Sequence, residues 1–351
     1  MAIKNYGVWV GKPVRVSAER AEDDPESPHI HLFYDDKKGG KYDGLKRASI
    51  NVKSKSKISE LVFWLIQDFQ HPITDQLSDL DVGFEEIQSQ SGTIALDYIR
   101  GNLMDLSKGR ILPHDKPDKN DDIIDFVQPE LQAAINRGAA IYLFGEPYSD
   151  NQGIHDVHMN QGSQGGFAKY NGVWQDGGII MHFSNEDRFT AIFLAFASQA
   201  IHTDEVSGDA IGGSQNFADL LGHPHDDIQD EDKPVIRDDQ PVKIIAALVN
   251  PSGPEGQAGF HGRPEMVYLM NRTEYGISLN NWSILNKNDD AHVISNDIWL
   301  APGEVRSVTM GETPLSNKGG LITLLDYNGI KIDGVSYTKK QANEEGKLIV
   351  F

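Results

Sequence analysis

Strand-like patterns of apolar and polar residues dominate the first part of the chain. Alternation of the two types, or a short apolar run, is typical of a β-strand, because successive side chains on a strand point to opposite faces. Alternating or apolar stretches occupy residues 6–16, 29–34, 47–53, 139–144, 178–183 and 190–196. We therefore predict six strands within the first 200 residues.

Two segments have the spacing of a helix instead. Apolar residues at 58, 61, 62 and 65 recur at helical intervals near Ser56 and Ser59, either of which can cap a helix. A second helix is predicted to begin at Asp121 or Asp122 and to end at Gly138, although Pro129 can interrupt it. Strands and helices follow no strict βαβ rhythm, so residues 1–205 are predicted to form an α+β domain with a mainly antiparallel sheet.

The composition changes over residues 206–241. Acidic pairs and triplets, among them Asp226-Asp227 and Asp230-Glu231-Asp232, alternate there with Gly, Gln, His and Pro. We interpret this segment as an acidic linker or surface loop. Calcium binding is the alternative, although the carboxylates lack the fixed spacing of an EF-hand loop.

Short strands separated by turn residues fill the remainder, residues 242–351. Their spacing of roughly 8–12 residues is typical of a β-sandwich. We place these strands at residues 242–249, 265–271, 283–285, 297–300, 305–310, 320–326 and 332–337.

Composition narrows the possible chemistry. The 351 residues include 32 Lys and Arg, 52 Asp and Glu and no Cys, for a formal net charge of −20. Thiolate nucleophiles, disulfides and cysteine-bound zinc are therefore excluded. The negative charge disfavours nonspecific nucleic-acid binding unless a basic patch or a divalent cation offsets it. We see neither an apolar stretch long enough to span a membrane nor a signal peptide, so a cytoplasmic location is expected, with unconventional export as an open alternative.

The C-terminal part resembles the lamin-tail domain, an immunoglobulin-like sandwich that bacteria attach to nucleases, phosphoesterases and other proteins. The resemblance covers about 100 residues and implies an all-β module that positions the chain on a protein or surface partner. It is carried by Asn250-Pro251-Ser252-Gly253, Glu265-Met266-Val267-Tyr268-Leu269, Trp282, Pro302-Gly303, Leu325-Asp326 and Asp333-Gly334-Val335-Ser336-Tyr337.

Residues 1–205 look like the YukJ-like family of bacterial proteins, a family of unknown function whose members sometimes carry a lamin-tail domain. The family implies no settled activity. The matching segments include Lys4-Asn5-Tyr6-Gly7-Val8, Phe69-Gln70-His71-Pro72-Ile73-Thr74, Ala95-Leu96-Asp97-Tyr98-Ile99-Arg100-Gly101-Asn102, residues 153–162 and Trp174-Gln175-Asp176-Gly177-Gly178.

The densest group of polar residues lies between Gly153 and Gly162. His155, Asp156, His158 and Asn160 follow one another there, and we predict these four as catalytic residues. In a strand, Asp156, His158 and Asn160 share one face; in a helical turn, His155 and His158 share one and can bind the same metal. A tight turn with hydrogen bonds among its own side chains is the structural alternative.

Further histidines and a carboxylate flank the apolar strands. We predict that His158, Asp176, His182 and His202 converge and hold one divalent metal ion. A histidine bonded to the backbone within the core is the alternative for His182 and His202. His29 and His31 share a strand face next to an acidic loop, and metal binding is not the favoured interpretation for them. No nucleotide cofactor is expected, since residues 161–166 lack the Lys and the spacing of a phosphate-binding loop.

The hypothesis is a metal-assisted hydrolase acting on a phosphodiester or related ester. A second mechanism makes His158 a nucleophile or general base near Lys53, as in phospholipase-D-like sites, but Asn160 stands where that motif has Lys. The opposing hypothesis is a noncatalytic binding or scaffold protein whose two domains both recognise partners.

Overall fold

A computed structural model of the chain describes residues 6–20, 22–25, 28–52, 61–87, 96, 98, 101–113, 116, 119–157, 177–197, 216–221, 240–253, 264–294 and 298–351. The structure is mainly antiparallel β-sheet with few helices. It divides into two compact units, which are described separately. Unit 1 comprises Met1–Phe69, Asp75–Ile99 and Leu106–Arg237, and unit 2 comprises Gln70–Thr74, Arg100–Asp105 and Asp238–Phe351.

Unit 1 is built on one large sheet. Its strands are β1 (Gly7–Glu19), β2 (His29–Asp35), β3 (Lys46–Asn51), β4 (Leu61–Ile66), β5 (Gly83–Glu86), β6 (Arg110–Ile111), β7 (Ala140–Pro147), β8 (Ile154–Asp156), β9 (Gly177–Phe183) and β10 (Arg188–Phe196). Their order is β3-β2-β1-β7-β9-β10-β4-β6, with β5 paired to β1 and β8 paired to β7. Three helices accompany the strands: α1 (Ile73–Ser78), which begins in unit 2 and continues into unit 1, α2 (Ile123–Arg137) and α3 (Phe217–Leu221).

Helix α2 covers one side of this sheet. Asp122 caps its start by accepting a hydrogen bond from the Asp125 backbone N–H, and Gly138 ends it in the left-handed region at φ 67°. Pro129 lies inside the helix without ending it. Ile123, Ile124, Val127, Leu131 and Ala134 point into the core that the sheet and helix share. The prediction of this helix and of its caps is confirmed.

The predicted helix around residue 62 is wrong, because Leu61–Ile66 forms strand β4. This strand lies between β10 and β6, and Leu61, Val62, Phe63 and Trp64 are all buried. A strand covered on both faces is apolar at every position and therefore lacks the alternation that marks a half-buried strand. Apolar residues at helical spacing are then found by chance in a short apolar run. The two proposed capping serines lie outside the described residues.

Unit 2 contains two four-stranded sheets and one two-stranded sheet. The strands are β11 (Val242–Leu248), β12 (Met266–Asn271), β13 (Ile277–Ser278), β14 (Ser283–Leu285), β15 (Ala291–Val293), β16 (Trp299–Leu300), β17 (Val305–Thr309), β18 (Gly319–Leu325), β19 (Lys331–Thr338) and β20 (Ile349–Val350). Their orders are β17-β12-β11-β20, β15-β14-β18-β19 and β13-β16, and one short helix, α4 (Lys339–Ala342), follows β19. All three sheets contribute to one core, in which Trp282 is buried as predicted.

Two short segments from the first third of the chain belong to unit 2. One of them brings Asn102, a buried residue in the left-handed region at φ 49°, against strands β18 and β19. The Asn102 side-chain amide donates to the carbonyl oxygens of Ile322 and Val335 at 3.2 and 3.1 Å. Lys331 Nζ donates to the Asn102 side-chain oxygen at 2.5 Å. This asparagine therefore joins two adjacent strands that lie more than 200 positions later in the chain.

His71 connects these two segments to each other. Its Nε2 lies 2.8 Å from the Gly101 carbonyl oxygen, and its Nδ1 accepts a hydrogen bond from the Ile73 backbone N–H at 3.1 Å. Nδ1 must be unprotonated to accept that bond, so the ring is neutral. Burial lowers the pKa of His71 to about 4, although the Gly101 carbonyl opposes the shift.

The domain boundaries and the acidic linker at 206–241 stay predictions, since most of that segment lies outside the described residues. Among the helices of the described part, none combines the length and the apolar composition that a membrane crossing requires.

We predict that acid destabilises the protein through His71. In the unfolded state His71 takes up a proton below about pH 6.5, whereas in the folded state it does so only near pH 4. The neutral, buried ring therefore contributes its full stability to the fold above about pH 6.5, and this contribution is lost as the pH falls toward about 4. Between pH 7 and pH 4 the loss in the free energy of unfolding is about 3 kcal/mol. Urea denaturation at both pH values measures it in the wild type and in His71→Gln.

In the variant His71→Gln, the free energy of unfolding should fall by about 3 kcal/mol less between pH 7 and pH 4 than it does in the wild type. The variant His292→Gln should show the same fall as the wild type. If His71→Gln does not fold, His71→Asn replaces it. Equal pH dependence in the wild type and the folded His71 variant would contradict the assignment.

Candidate functional site

Three adjacent strands of unit 1, β1, β2 and β3, bury one face and present a polar face on the other side. On β2, Ile30, Leu32 and Tyr34 are fully buried in the core of unit 1. The intervening residues His29, His31 and Phe33 point to the opposite face. Their direct partners on β1 are Glu19, Ser17 and Arg15, and those on β3 are Asn51, Ser49 and Arg47. Directly paired residues of antiparallel strands share a face, so all nine side chains line one surface, here called the histidine face.

Glu19, His29 and His31 form the tightest polar cluster on the histidine face. Glu19 Oε2 lies 2.9 Å from His31 Nε2 and 3.2 Å from His29 Nε2. The two imidazole rings are tilted against each other with centroids 4.1 Å apart. The side chain of Glu19 is 42% exposed, while those of His29 and His31 are 15% and 11% exposed. A solvated carboxylate thus covers two largely buried imidazoles.

The electrostatics of the cluster favour an ionised carboxylate and a neutral imidazole. The hydrogen bond from His31 lowers the pKa of Glu19 against the opposing effect of its burial. Burial lowers the pKa of His31, and the charges of His29 and Arg47 act in the same direction, although the bond to Glu19 opposes them. Near neutral pH the cluster therefore offers a carboxylate anion beside an uncharged His31 ring.

Tyr148, just after β7, connects His31 to the predicted His155 segment. The hydroxyl oxygens of Tyr148 and Ser49 lie 2.6 Å apart, and Ser49 is the cross-strand partner of His31. Arg47 donates through Nη2 to the Tyr148 hydroxyl at 2.8 Å. The ring of His155 stands edge-on to that of Tyr148, with centroids 5.1 Å apart. His155 therefore adjoins the histidine face through an aromatic contact.

The chain around β8 runs close beside β3. The Arg47 backbone N–H donates to the Gln152 carbonyl, and the Val157 backbone N–H donates to the Ser49 carbonyl. Gly153 lies at φ 133°, and a Cβ atom there would collide with the Arg47 carbonyl. This close approach requires glycine at the start of the predicted run.

The structure does not bring His155 and His182 together. His182 on β9 pairs with Ala140 at the start of β7, whereas Asp156 on β8 pairs with Glu146 near the end of β7. The two positions lie six residues apart along β7, which corresponds to roughly 20 Å. The half-buried His182 ring stacks on Phe189 at 4.2 Å, and burial lowers its pKa. A shared ion for His155 and His182 is excluded by this distance.

The remaining predicted site residues lie outside the part of the chain that the structure describes: His158, Asn160, Asp176 and His202, together with Lys53 and, for its side chain, Asp156. Their predicted roles stay predictions. The predicted convergence of His182 with His158, Asp176 and His202 likewise stays a prediction.

A second cluster of potential ligands, Asp121, Asp122 and Asp125, has a structural explanation. Asp122 is fully buried, caps α2 and accepts a hydrogen bond from the Lys116 backbone N–H at 2.7 Å. Arg20 lies 3.5 Å from Asp122 and 3.7 Å from Asp125. Helix capping and ion pairing account for the carboxylates of Asp122 and Asp125.

Sequence reasoning noticed that His29 and His31 share a face but missed Glu19. The carboxylate is ten residues upstream of His29, and only the antiparallel register between β1 and β2 brings them together. A usable signal existed, because a hairpin that joins residues 6–16 to 29–34 places residues before the acidic turn opposite His29.

The chain belongs to a family of conserved proteins whose model matches residues 1–208 and is described as "Uncharacterized conserved protein (DUF2278)". The expected YukJ-like membership is thereby confirmed. The relative "Uncharacterized protein YukJ" from Bacillus subtilis (strain 168) is 33% identical over 219 residues, which cover 58% of this chain and 93% of that protein. Neither description names a reaction.

We predict that Glu19→Gln lowers the pKa of His31 further. The wild-type carboxylate stabilises the protonated imidazole against burial, and a neutral amide removes that stabilisation. The His31 ring should then stay neutral to a lower pH, which an NMR titration of the imidazole signals measures. Glu304→Gln, in unit 2, should leave the titration unchanged. An unchanged or raised pKa of His31 in Glu19→Gln would refute the described contact.

Proposed function

We propose that this chain is a metal-dependent hydrolase acting on a phosphodiester or related ester, with Glu19, His29 and His31 as ligands of one divalent ion. The observation that carries the proposal is the position of one carboxylate oxygen: Glu19 Oε2 lies 2.9 Å and 3.2 Å from the two Nε2 atoms. Two donor atoms bound to one tetrahedral ion at roughly 2.0–2.2 Å lie about 3.3–3.6 Å apart, a few tenths of an ångström farther than these atoms. The three side chains therefore have nearly the spacing of a ligand set.

The donor types suit hydrolytic chemistry. Two imidazoles and one carboxylate form a ligand set used for catalytic zinc, which keeps a further position open for water. A divalent ion held there would lower the pKa of its bound water toward about 7 and so supply hydroxide at neutral pH. In the hydrolysis, the oxygen of that water would bond to the phosphorus or carbonyl carbon, the bond to the ester oxygen would break, and the proton lost by the water would end on the leaving alcohol. Because the Glu19 side chain is partly exposed, water can reach the open coordination position of the proposed ion.

The protonation states also support binding of a cation. A metal ligand must be a carboxylate anion or a neutral imidazole, and any proton present has to be released first. The lowered pKa of Glu19 and the lowered pKa of His31 both favour the ligand forms.

One feature limits the expected affinity. His31 Nδ1 is buried and has no hydrogen-bond partner among the described residues. When Nε2 binds an ion, the ring proton moves to Nδ1, where no protein acceptor receives it. An unpaired buried donor costs about 1–3 kcal/mol. We therefore expect binding to be about 10–100-fold weaker than at a comparable site with a complete set of hydrogen bonds.

The same distances satisfy hydrogen bonds from both imidazoles to Glu19, which is the competing structural interpretation. In that case the chain is the noncatalytic binding or scaffold protein considered above. Exposed aromatic side chains of unit 2 favour partner recognition: Tyr275 is 66% exposed and Trp299 is 57% exposed. Metal binding separates the two functions.

Residues 242–351 are proposed to form an immunoglobulin-like sandwich of the lamin-tail type. Two antiparallel four-stranded sheets that share a core with Trp282 support this proposal. The module would position the enzyme on a partner, while the histidine face of unit 1 carries the reaction.

We predict that the purified full chain binds about one Zn²⁺ ion and hydrolyses bis(p-nitrophenyl) phosphate in a metal-dependent way. Isothermal titration calorimetry measures the binding, and chelation should abolish the hydrolysis. His29→Ala and His31→Ala should weaken Zn²⁺ binding by more than about 100-fold, beyond the loss typical for hydrogen-bond partners of a ligand.

His292→Ala, a histidine of unit 2, serves as the matched control and should bind Zn²⁺ as the wild type does. The variant His182→Ala distinguishes the two predicted ligand sets. Loss of Zn²⁺ binding in His182→Ala, with binding retained in His29→Ala, would move the ion to the site predicted from sequence. A chain that binds neither Zn²⁺ nor Mn²⁺ would overturn the enzyme proposal in favour of the scaffold.

A further inference from the structure

Two arginines border the metal ligands on the histidine face. Arg15 on β1 and Arg47 on β3 are the cross-strand partners of Phe33 on β2. Their row lies two residues along the strands from the row that contains His31, a separation of about 7 Å. A small ligand that contacts the proposed ion is therefore long enough to reach the strand positions that carry both guanidinium groups.

A β-bulge places Arg15 on this face. The pairing of β1 with β2 shifts register between Pro13 and Arg15, which leaves Val14 unpaired and 45% exposed. Arg15 is thereby paired with Phe33, and its guanidinium carbon lies 4.0 Å from the centre of the Phe33 ring. Bulges often redirect a side chain next to a functional site.

Arg47 is held in place by aromatic rings on two sides. Its guanidinium carbon lies 4.7 Å from the ring centre of Tyr42 and 5.1 Å from that of Tyr148, to whose hydroxyl it also donates. Its Nε is buried without a hydrogen-bond partner in the described structure. A guanidinium fixed in this way loses little conformational freedom when it binds an anion.

Neither arginine forms an ion pair with any carboxylate in the described ranges, despite the excess of 52 acidic over 32 basic residues in the chain. Other arginines do pair with carboxylates: Arg20 with Asp122, Arg137 and Arg188 with Glu186, and Arg306 with Glu304. Guanidiniums that have no carboxylate partner among the described residues, beside the proposed cation site, favour the binding of an anion. The planar fork of arginine donors matches the oxygen atoms of a phosphate group.

We infer that Arg15 and Arg47 recognise a phosphate group, so that the substrate class of the histidine face is phosphate esters rather than neutral carboxylic esters. As a statement about substrate, this inference rests on the proposed metal-dependent hydrolase. The charges agree with it, because two guanidiniums and a divalent ion against the carboxylates of Glu19 and of Asp24, whose charge acts on Glu19, leave a net charge of +2. A neutral ester offers nothing to this excess of positive charge, whereas a phosphate ester carries one or two negative charges.

The test uses phenylphosphonate, a phosphate-ester analogue that is not hydrolysed, with benzoate and phenylacetamide as comparison ligands. Calorimetry of the Zn²⁺-loaded full chain should detect phenylphosphonate binding in preference to both. Arg15→Gln and Arg47→Gln should each weaken it by about 10–100-fold, the value of a hydrogen bond to a charged group. Zn²⁺ binding, measured separately, should not weaken in either variant.

Arg137→Gln is the matched control, because Arg137 also stacks on a phenylalanine and lies near the far end of β7. It should bind phenylphosphonate as the wild type does, and circular dichroism establishes that each variant is folded. If Zn²⁺ binds but phenylphosphonate binding is absent or insensitive to both arginines, the inference is overturned and the proposed function stands. If neither Zn²⁺ nor Mn²⁺ binds but phosphonate affinity still falls in both variants, the proposed function is overturned and the anion site stands.

Discussion

The pairing of β2 between β1 and β3 is the constraint on which the candidate site depends. Because side chains alternate along β2, burial of Ile30, Leu32 and Tyr34 forces His29, His31 and Phe33 to the other face. A slip of one residue would exchange the two sets, burying imidazoles in an apolar core and exposing three large apolar side chains. The hydrophobic free energy of the core therefore holds the polar cluster in register. The polar cluster does not have to stabilise the sheet, because burial of the opposite face of the same three strands does so.

An element could be predicted from sequence where its own residues carry all the signals that define it. Helix α2 has a capping carboxylate, an apolar stripe and a terminal glycine, and each indicates the same element. Strand β4 was misassigned because its position between two other strands, which determines that it is buried on both faces, is a property of the whole sheet. Asn102 shows the same limitation in unit 2. Nothing in residues 100–105 indicates that an asparagine there donates to the carbonyls of Ile322 and Val335.

The candidate site was predictable only in part, for a similar reason. The shared face of His29 and His31 follows from a period of two, whereas Glu19 and Arg15 join it through strand register and a bulge. The predicted role of His155 stays a prediction, and its ring adjoins the histidine face through Tyr148. His182 lies far from that segment, because β8 and β9 pair with opposite ends of β7, which the sequence of the separate strands does not indicate. Chemistry carried by single segments is visible in sequence, and chemistry assembled across strands is not.

The overall charge of the chain restricts the size of the ligand that this face can bind. With a net charge of −20, the protein repels a long polyanion wherever its phosphates come within about a Debye length, about 8 Å, of the acidic surface. The contacts of Arg15 and Arg47 act at shorter range, where a small anion meets the guanidinium groups and the ion before it meets the surrounding carboxylates. A nucleic acid strand carries many phosphates and would set most of them against the acidic surface. Under the proposed function, a small phosphate ester would place its single charged group beside Arg15 and Arg47 and avoid that repulsion, so the charge distribution that disfavours nucleic acids would favour small substrates.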